Sequence, residues 1–292
     1  GSVEDTLGGS AVHFSLAAAL FGPVQLVGVV GEDFSAECHA TLREKGVSTE
    51  GLEVIPGGKT FRWSGRYFDD MDQRETLRTD LNVFEKFQPT LPAEYCRAGF
   101  LYLGNGAPVT QSSVLDQMSG NPFSVVDTMN FWIDGNRSEL LELLGRVDAL
   151  VLNDEEAYLL TDEKNLVRAG RSIREMGPSI VIAKKGQHGA TIFHEGGETA
   201  LPALPLAEVV DPTGAGDSFA GGMMGSLQSC GSVDLETLKV AVAWGTVTAS
   251  FCCGGYGVEG LLKADPVSLR ERFEQYRKML DLQPLEIPLN SN

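Results

Sequence analysis

Asp217 sits where a carboxylate has chemistry to do. It closes the run Asp211-Pro212-Thr213-Gly214-Ala215-Gly216-Asp217. Gly214 and Gly216 bracket one small residue, Ala215, so no bulky side chain covers the backbone there. Glycine also permits the φ values that turn successive N–H groups toward one point. The chain then reads as a helix through Gln228. The first N–H groups of a helix lack intrahelical partners and carry partial positive charge. Such a tip receives an anion, most obviously a phosphate. A carboxylate beside an anion site is poor design for binding alone. It makes sense if it takes the proton from a hydroxyl that attacks phosphorus. A lone Gly-x-Gly-Asp would be read more simply as a glycine-rich loop with Asp217 capping the helix.

Chemistry of this kind needs a frame that fixes its parts. Residues 10–21 carry Ala, Leu and Phe at helical spacing and stop at Gly22-Pro23. Residues 24–30 form a buried-strand run, and 34–45 a helix stopped by Gly46. Strands follow at 100–103, 123–127, 149–152 and 180–183, alternating with helices at 111–118, 137–144, 155–160 and 166–176. Residues 190–193 and 198–201 read as an edge hairpin, and 235–251 and 266–280 as helices. The alternation predicts an α/β fold with a largely parallel sheet covered on both faces. Ligands in such folds lie beyond the carboxyl ends of the strands, where Asn105, Asp127, Asn130, Asn153 and Lys184 fall.

One stretch breaks the pattern. Phe61, Trp63, Gly65 and Tyr67 alternate with Arg62, Ser64, Arg66 and Phe68, the period of a half-exposed antiparallel strand. A polar turn at 69–72 would lead into a returning strand at 75–83. Residues 55–83 are therefore expected to project as a small sheet, an insertion in the body formed by 1–54 and 84–292.

Bulk properties narrow the function. The 292 residues carry a formal net charge of −17, which disfavours nucleic acid as a partner. Five scattered cysteines without a Cys-x-x-Cys suit a reducing cytoplasm. The most apolar stretch is broken by Gly22-Pro23, so no membrane span is expected. Gly57-Gly58-Lys59-Thr60 ends like a phosphate-binding loop, but Glu53 stands where its first glycine belongs.

The whole run 211–217 closely resembles the signature of the PfkB, or ribokinase-like, family of small-molecule kinases. Further motifs match in order. Gly8-Gly9 leads into the first helix as in that family, where it approaches the substrate, with His13 at a position that is often Asn. The 55–83 sheet resembles the family's lid. Asn153 and Glu156 match an Asn-x-x-Glu motif that organises Mg²⁺ through water. Lys184-Lys185-Gly186-Gln187-His188-Gly189 matches the nucleotide-lining turn, with Lys184 where Thr is common; a lysine there would help hold polyphosphate charge. Asp127 and Asn130 resemble a substrate-strand ending, and Gly254-Gly255-Tyr256-Gly257 the adenine-side loop. Asp211 and Thr213 match a site for a monovalent cation such as K⁺.

The resemblance implies ATP and Mg²⁺, with Asp217 as base and the N–H groups of Gly214, Ala215 and Gly216 as anion hole. It implies transfer to a hydroxymethyl group of a sugar. Two alternatives stand beside it: an adenosine-type nucleoside kinase, and an inactive sugar- or nucleotide-binding regulator. The first strand of the family, which usually ends in an Asp that grips the substrate, is missing before Gly8. Lids of the family often pair, so a homodimer through 55–83 is a further expectation. Phe131 and Trp132 would either pack or stack on a substrate ring.

Overall fold

The computed structural model describes residues 2–68, 71 and 74–281. Helix α1 (Ser10–Ala18) leads into β1 (Val24–Gly31), α2 (Ala36–Glu44) and β2 (Val47–Ile55). Then come β3 (Arg62–Tyr67), β4 (Arg74–Asp80), β5 (Phe100–Leu103), α3 (Pro108–Gln117), β6 (Phe123–Asp127), α4 (Asn130–Gly135) and α5 (Arg137–Leu144). The body continues with β7 (Ala149–Asn153), α6 (Asp154–Thr161), α7 (Leu166–Glu175), β8 (Ile180–Lys184), β9 (Ala190–His194) and β10 (Gly197–Leu201). It closes with α8 (Ala215–Cys230), α9 (Leu235–Cys252), α10 (Glu259–Lys263) and α11 (Pro266–Leu280).

The strands β10-β9-β8-β7-β6-β5 form one sheet. β5 through β8 run parallel, while β9 and β10 add as an antiparallel hairpin. β1 and β2 pair in parallel as a sheet of their own, and β3 and β4 form a separate antiparallel ribbon. Among the described residues, β1 and β5 each pair on one side only. No described helix is long and apolar enough to cross a membrane.

The parallel strands read as continuous apolar runs because both faces are buried. Val125, Val151, Ile182 and Ile192 pack on the side of α8, α9 and α11. Their neighbours Val126, Leu152, Val181 and Phe193 pack on the opposite side with α5, α6 and α7. Adjacent residues of a strand point to opposite faces, so one strand feeds both cores.

Helix α8 is buried all round from Ser218 to Leu227, clamped between α1 and α9. Small residues make this possible. A Cβ on Gly221 would overlap the Phe14 carbonyl oxygen of α1 and lie 2.8 Å from Ala17 Cβ. One on Gly222 would lie 2.7 Å from Thr248 Cβ of α9. Gly221→Val should therefore lower the unfolding free energy by about 3 kcal/mol through overpacking. Urea denaturation checks this, and an unchanged midpoint would mean that the two helices can part at no cost.

Three elements escaped the sequence pattern. β2 is a polar, half-exposed strand whose pairing comes from β1, not from its own alternation. α4 and α10 are six and five residues long, too short for a helical period to register. The expected turn at 69–72 lies outside the described residues except for Met71, and so does the tail beyond 281.

Candidate active site

Parallel pairing brings four strand ends to one edge of the sheet. Asn153 pairs in register with Lys184, and Asp127 with Val151. Gln111 of α3 fastens this edge: its amide donates to the carbonyl oxygens of Gly104 at 2.8 Å and Asp127 at 2.9 Å.

Helix α8 points its N-terminus at the same region. Gly214 caps it with φ +78, the left-handed region that favours glycine. Ser218 N–H makes the first helical bond, to Gly214 O at 2.8 Å. Gly216 and Asp217, immediately before it in the same first turn, have no intrahelical acceptor. The preceding turn is tied down from three sides. Thr213 N–H donates to Asp211 Oδ1 at 2.9 Å, Cys252 Sγ donates to Thr213 O at 3.3 Å, and the Thr213 hydroxyl meets the Tyr67 hydroxyl of β3 at 3.3 Å. Burial pushes the Cys252 thiol up to about 12, so it remains a neutral donor.

Asp217 is half-buried in the first turn of α8. Burial raises its pKa above the ordinary 3.8, and the neighbouring Asp127 carboxylate raises it further. Lys184, His13 and a hydrogen bond from Ser10 pull it back in part. These are the conditions that make a carboxylate a useful base.

Asp127 is buried at the end of β6. Its Oδ2 accepts from the Tyr102 hydroxyl at 2.8 Å and faces Lys184 Nζ at 3.3 Å. Burial, then the Asp127 charge, push the Tyr102 phenol well above its ordinary value, so it stays a donor. Tyr102 stacks on Phe14 of α1, ring centroids 4.1 Å apart.

Asn153 and Glu156 form a reciprocal helix cap. Glu156 N–H donates to Asn153 Oδ1 at 2.7 Å, and Asn153 N–H to Glu156 Oε2 at 2.8 Å. Gly186 and Gly189 shape the β8–β9 turn, where Lys185 N–H donates to Gly189 O at 2.7 Å. Asn105 and Asn130 are less central. Asn105 accepts from the Trp132 indole N–H at 3.0 Å and donates to Met129 Sδ, while Asn130 is exposed and accepts from Phe131 N–H. Trp132 is thus engaged, whereas Phe131 is 63% exposed.

His13 is 1% exposed. Its ring nitrogens face Gly9 O at 3.1 Å and Gly257 O at 3.3 Å. The ring also lies 3.5 Å from where a Cβ on Gly8 would be and fills the space over Gly214. It joins the Gly8-Gly9 loop, the Gly257 loop and the anion turn. Ser10 and Tyr102 reach the site through a partner over a hundred residues away or on another strand, which no local pattern announces, while Tyr67, read in the sequence as a residue of the alternating lid strand, meets Thr213.

Among the described residues no three His, Cys, Asp or Glu side chains gather as a metal-holding group. The described residues offer no cage for a dehydrated ion. A Mg²⁺ that keeps its waters and takes ligands from phosphates fits this sparse donor set.

An open α/β sheet, a helix tip open to an anion and a half-buried carboxylate in its first turn suit phosphoryl transfer to a small molecule. The sequence model of the pfkB family carbohydrate kinases matches residues 1–264, and the chain belongs to that family. It is 29% identical over 251 residues to a cytidine kinase of Thermococcus kodakarensis, covering 82% of this chain and 88% of that one. It is 30% identical over 278 residues to an ATP-dependent ribose-1-phosphate kinase of Halopiger xanaduensis, covering 91% and 88%. Among solved structures, the Methanocaldococcus jannaschii nucleoside kinase superposes with TM-score 0.75 at 22% identity, covering 92% of this chain and 86% of that one. A putative ribokinase II of E. coli in complex with ATP and Mg²⁺ gives TM-score 0.75 at 19% identity, covering 94% of each. These likenesses fit the expected α/β, ribokinase-like fold.

Proposed function

We propose that the protein transfers the terminal phosphoryl group of ATP to a hydroxymethyl group of a sugar, either free or as the ribose of a nucleoside. The observation that carries this reading is Asp217, a carboxylate of raised pKa in the first turn of a helix whose leading N–H groups are open to an anion. The acceptor hydroxyl oxygen forms a bond to the γ-phosphorus. The bond from that phosphorus to the ADP oxygen breaks, and the hydroxyl proton passes to Asp217. The N–H groups of Gly214, Gly216 and Asp217 stabilise charge on the phosphoryl oxygens, while that of Ala215, expected in the anion hole, donates to Pro212 O at 3.0 Å.

Asn153 and Glu156 would hold Mg²⁺ through water, and the ion would neutralise phosphate charge. Asp211 and Thr213 offer oxygens to a monovalent cation, and activity in potassium compared with tetramethylammonium salt tests that assignment. The ribbon β3–β4 acts as a lid over the acceptor, a reading supported by the contact of Tyr67 with Thr213. A relative named for cytidine makes nucleosides the second class to try, and exposed Phe131 supplies a face for a base. Light scattering decides whether the lid also pairs two copies; a monomer would exclude it. A radiolabelled-ATP screen of sugars and nucleosides tests the reaction. Turnover of none would remove the proposal.

The pH dependence has a defined sign. Asp217 works as the carboxylate, and its pKa lies above 3.8 through burial and Asp127. kcat/KM should therefore fall on the acid side with a midpoint above the ordinary carboxylate value. A profile flat down to pH 4, roughly the ordinary carboxylate value, would contradict the environment described for Asp217.

A further inference from the structure

Lys184 ends β8 beside Asp127 and the first turn of α8. Its Nζ lies 3.3 Å from Asp127 Oδ2. It also lies 3.3 Å from the point where a side chain on Gly216 would begin. Gly216 thus leaves the ammonium room directly over the anion turn. Burial works against its charge, but the carboxylates of Asp127, Glu156 and Asp217 outweigh that and hold its pKa above the ordinary 10.5. One ammonium faces three carboxylates. A terminal phosphate brought to the anion turn would meet net repulsion from this field without it.

Its present partner is already served. The same Oδ2 accepts from Tyr102 at 2.8 Å, the shorter of the two contacts. The flexible stem of a lysine lets its head move between nearby acceptors.

We propose that Lys184 is a ligand of the terminal phosphate of ATP, and that in binding it the ammonium leaves Asp127. The inference rests on placing that phosphate at residues 214–217. The phosphate is then held between the N–H groups of the turn and the ammonium over Gly216. Asp127, kept in place by Tyr102, becomes free to accept a hydrogen bond from the acceptor. ADP has no group to reach this cation, so Lys184 discriminates between the two nucleotides. By reciprocity, nucleotide and acceptor strengthen each other's binding.

The test is calorimetric binding of ADP and of an ATP analogue with a methylene bridge between the β- and γ-phosphorus. Wild-type protein should bind the analogue more tightly than ADP. Lys184→Met should weaken the analogue about tenfold or more, the scale of a charge-assisted hydrogen bond. It should leave ADP within about twofold, because no ADP oxygen uses that bond. Lys184→Arg should restore part of the loss. Asp127→Asn, which releases the lysine, should tighten the analogue and not ADP, and it serves if the methionine variant does not fold. Equal losses for both nucleotides in Lys184→Met, or no loss, overturn the inference, as does an Asp127→Asn variant that treats both alike. Wild-type protein that binds neither nucleotide overturns the phosphotransferase reading itself, and this inference with it.

Discussion

Asp217→Asn should lower kcat by a factor of about 10²–10⁴, the usual share of a general base, with the fold intact. The amide has nearly the shape of the carboxylate and can still accept the Ser10 hydrogen bond that Asp217 receives. It cannot take a proton. The thermal midpoint should stay level or rise. A carboxylate whose pKa is raised in the folded state is one whose charge the fold disfavours, so at neutral pH the ionised group costs stability. Most paired carboxylates behave the opposite way. Loss of turnover together with an unchanged or higher midpoint therefore separates a chemical role from a structural one. Turnover within about tenfold of wild type would end the case for Asp217 as base.

Gly214→Val should be nearly as damaging, by another route. The position has φ +78, where a β-branched residue is strained. A Cβ there would overlap the His13 ring, which is itself placed against Gly9 O and Gly257 O. Displacing the ring moves the Gly8-Gly9 loop and the Gly257 loop together. The anion turn loses its shape at the point where its N–H groups must converge. The expected loss in kcat is about 10²–10³, comparable to deleting a donor from an oxyanion hole. The stability cost should be about 1–3 kcal/mol from strain and overpacking. Combining Gly214→Val with His13→Ala should recover part of that stability, since it removes the overlap but not the strain. Strict additivity of the two changes would mean that the ring and the turn are uncoupled.

How far the site could be read in advance depended on distance along the chain. Gly214 to Asp217 are contiguous, so the helix tip and its carboxylate were visible together. Asn153 and Glu156 are three apart, which is also the spacing of a helix cap, and the structure makes that cap. The strands β5 to β8 were recognisable because burial on both faces forces apolar runs. β2 was not, because its partner β1 supplies what its own residues do not announce. Trp132 could be named but not placed: only the structure reveals its bond to Asn105.

The amino-acid sequence by itself determined the α/β alternation, the glycine turn that opens into a helix, and the acid in that helix's first turn, because these depend on residues within one turn or one strand of each other. The tertiary structure decided the electrostatics. Asp127, Lys184 and Asp217 come from three separate elements, and only parallel strand pairing and the seating of α8 between α1 and α9 bring one ammonium among their carboxylates. Charge acts through space and falls with distance, so the pKa of Asp217 and the partner of Lys184 are properties of the packed molecule.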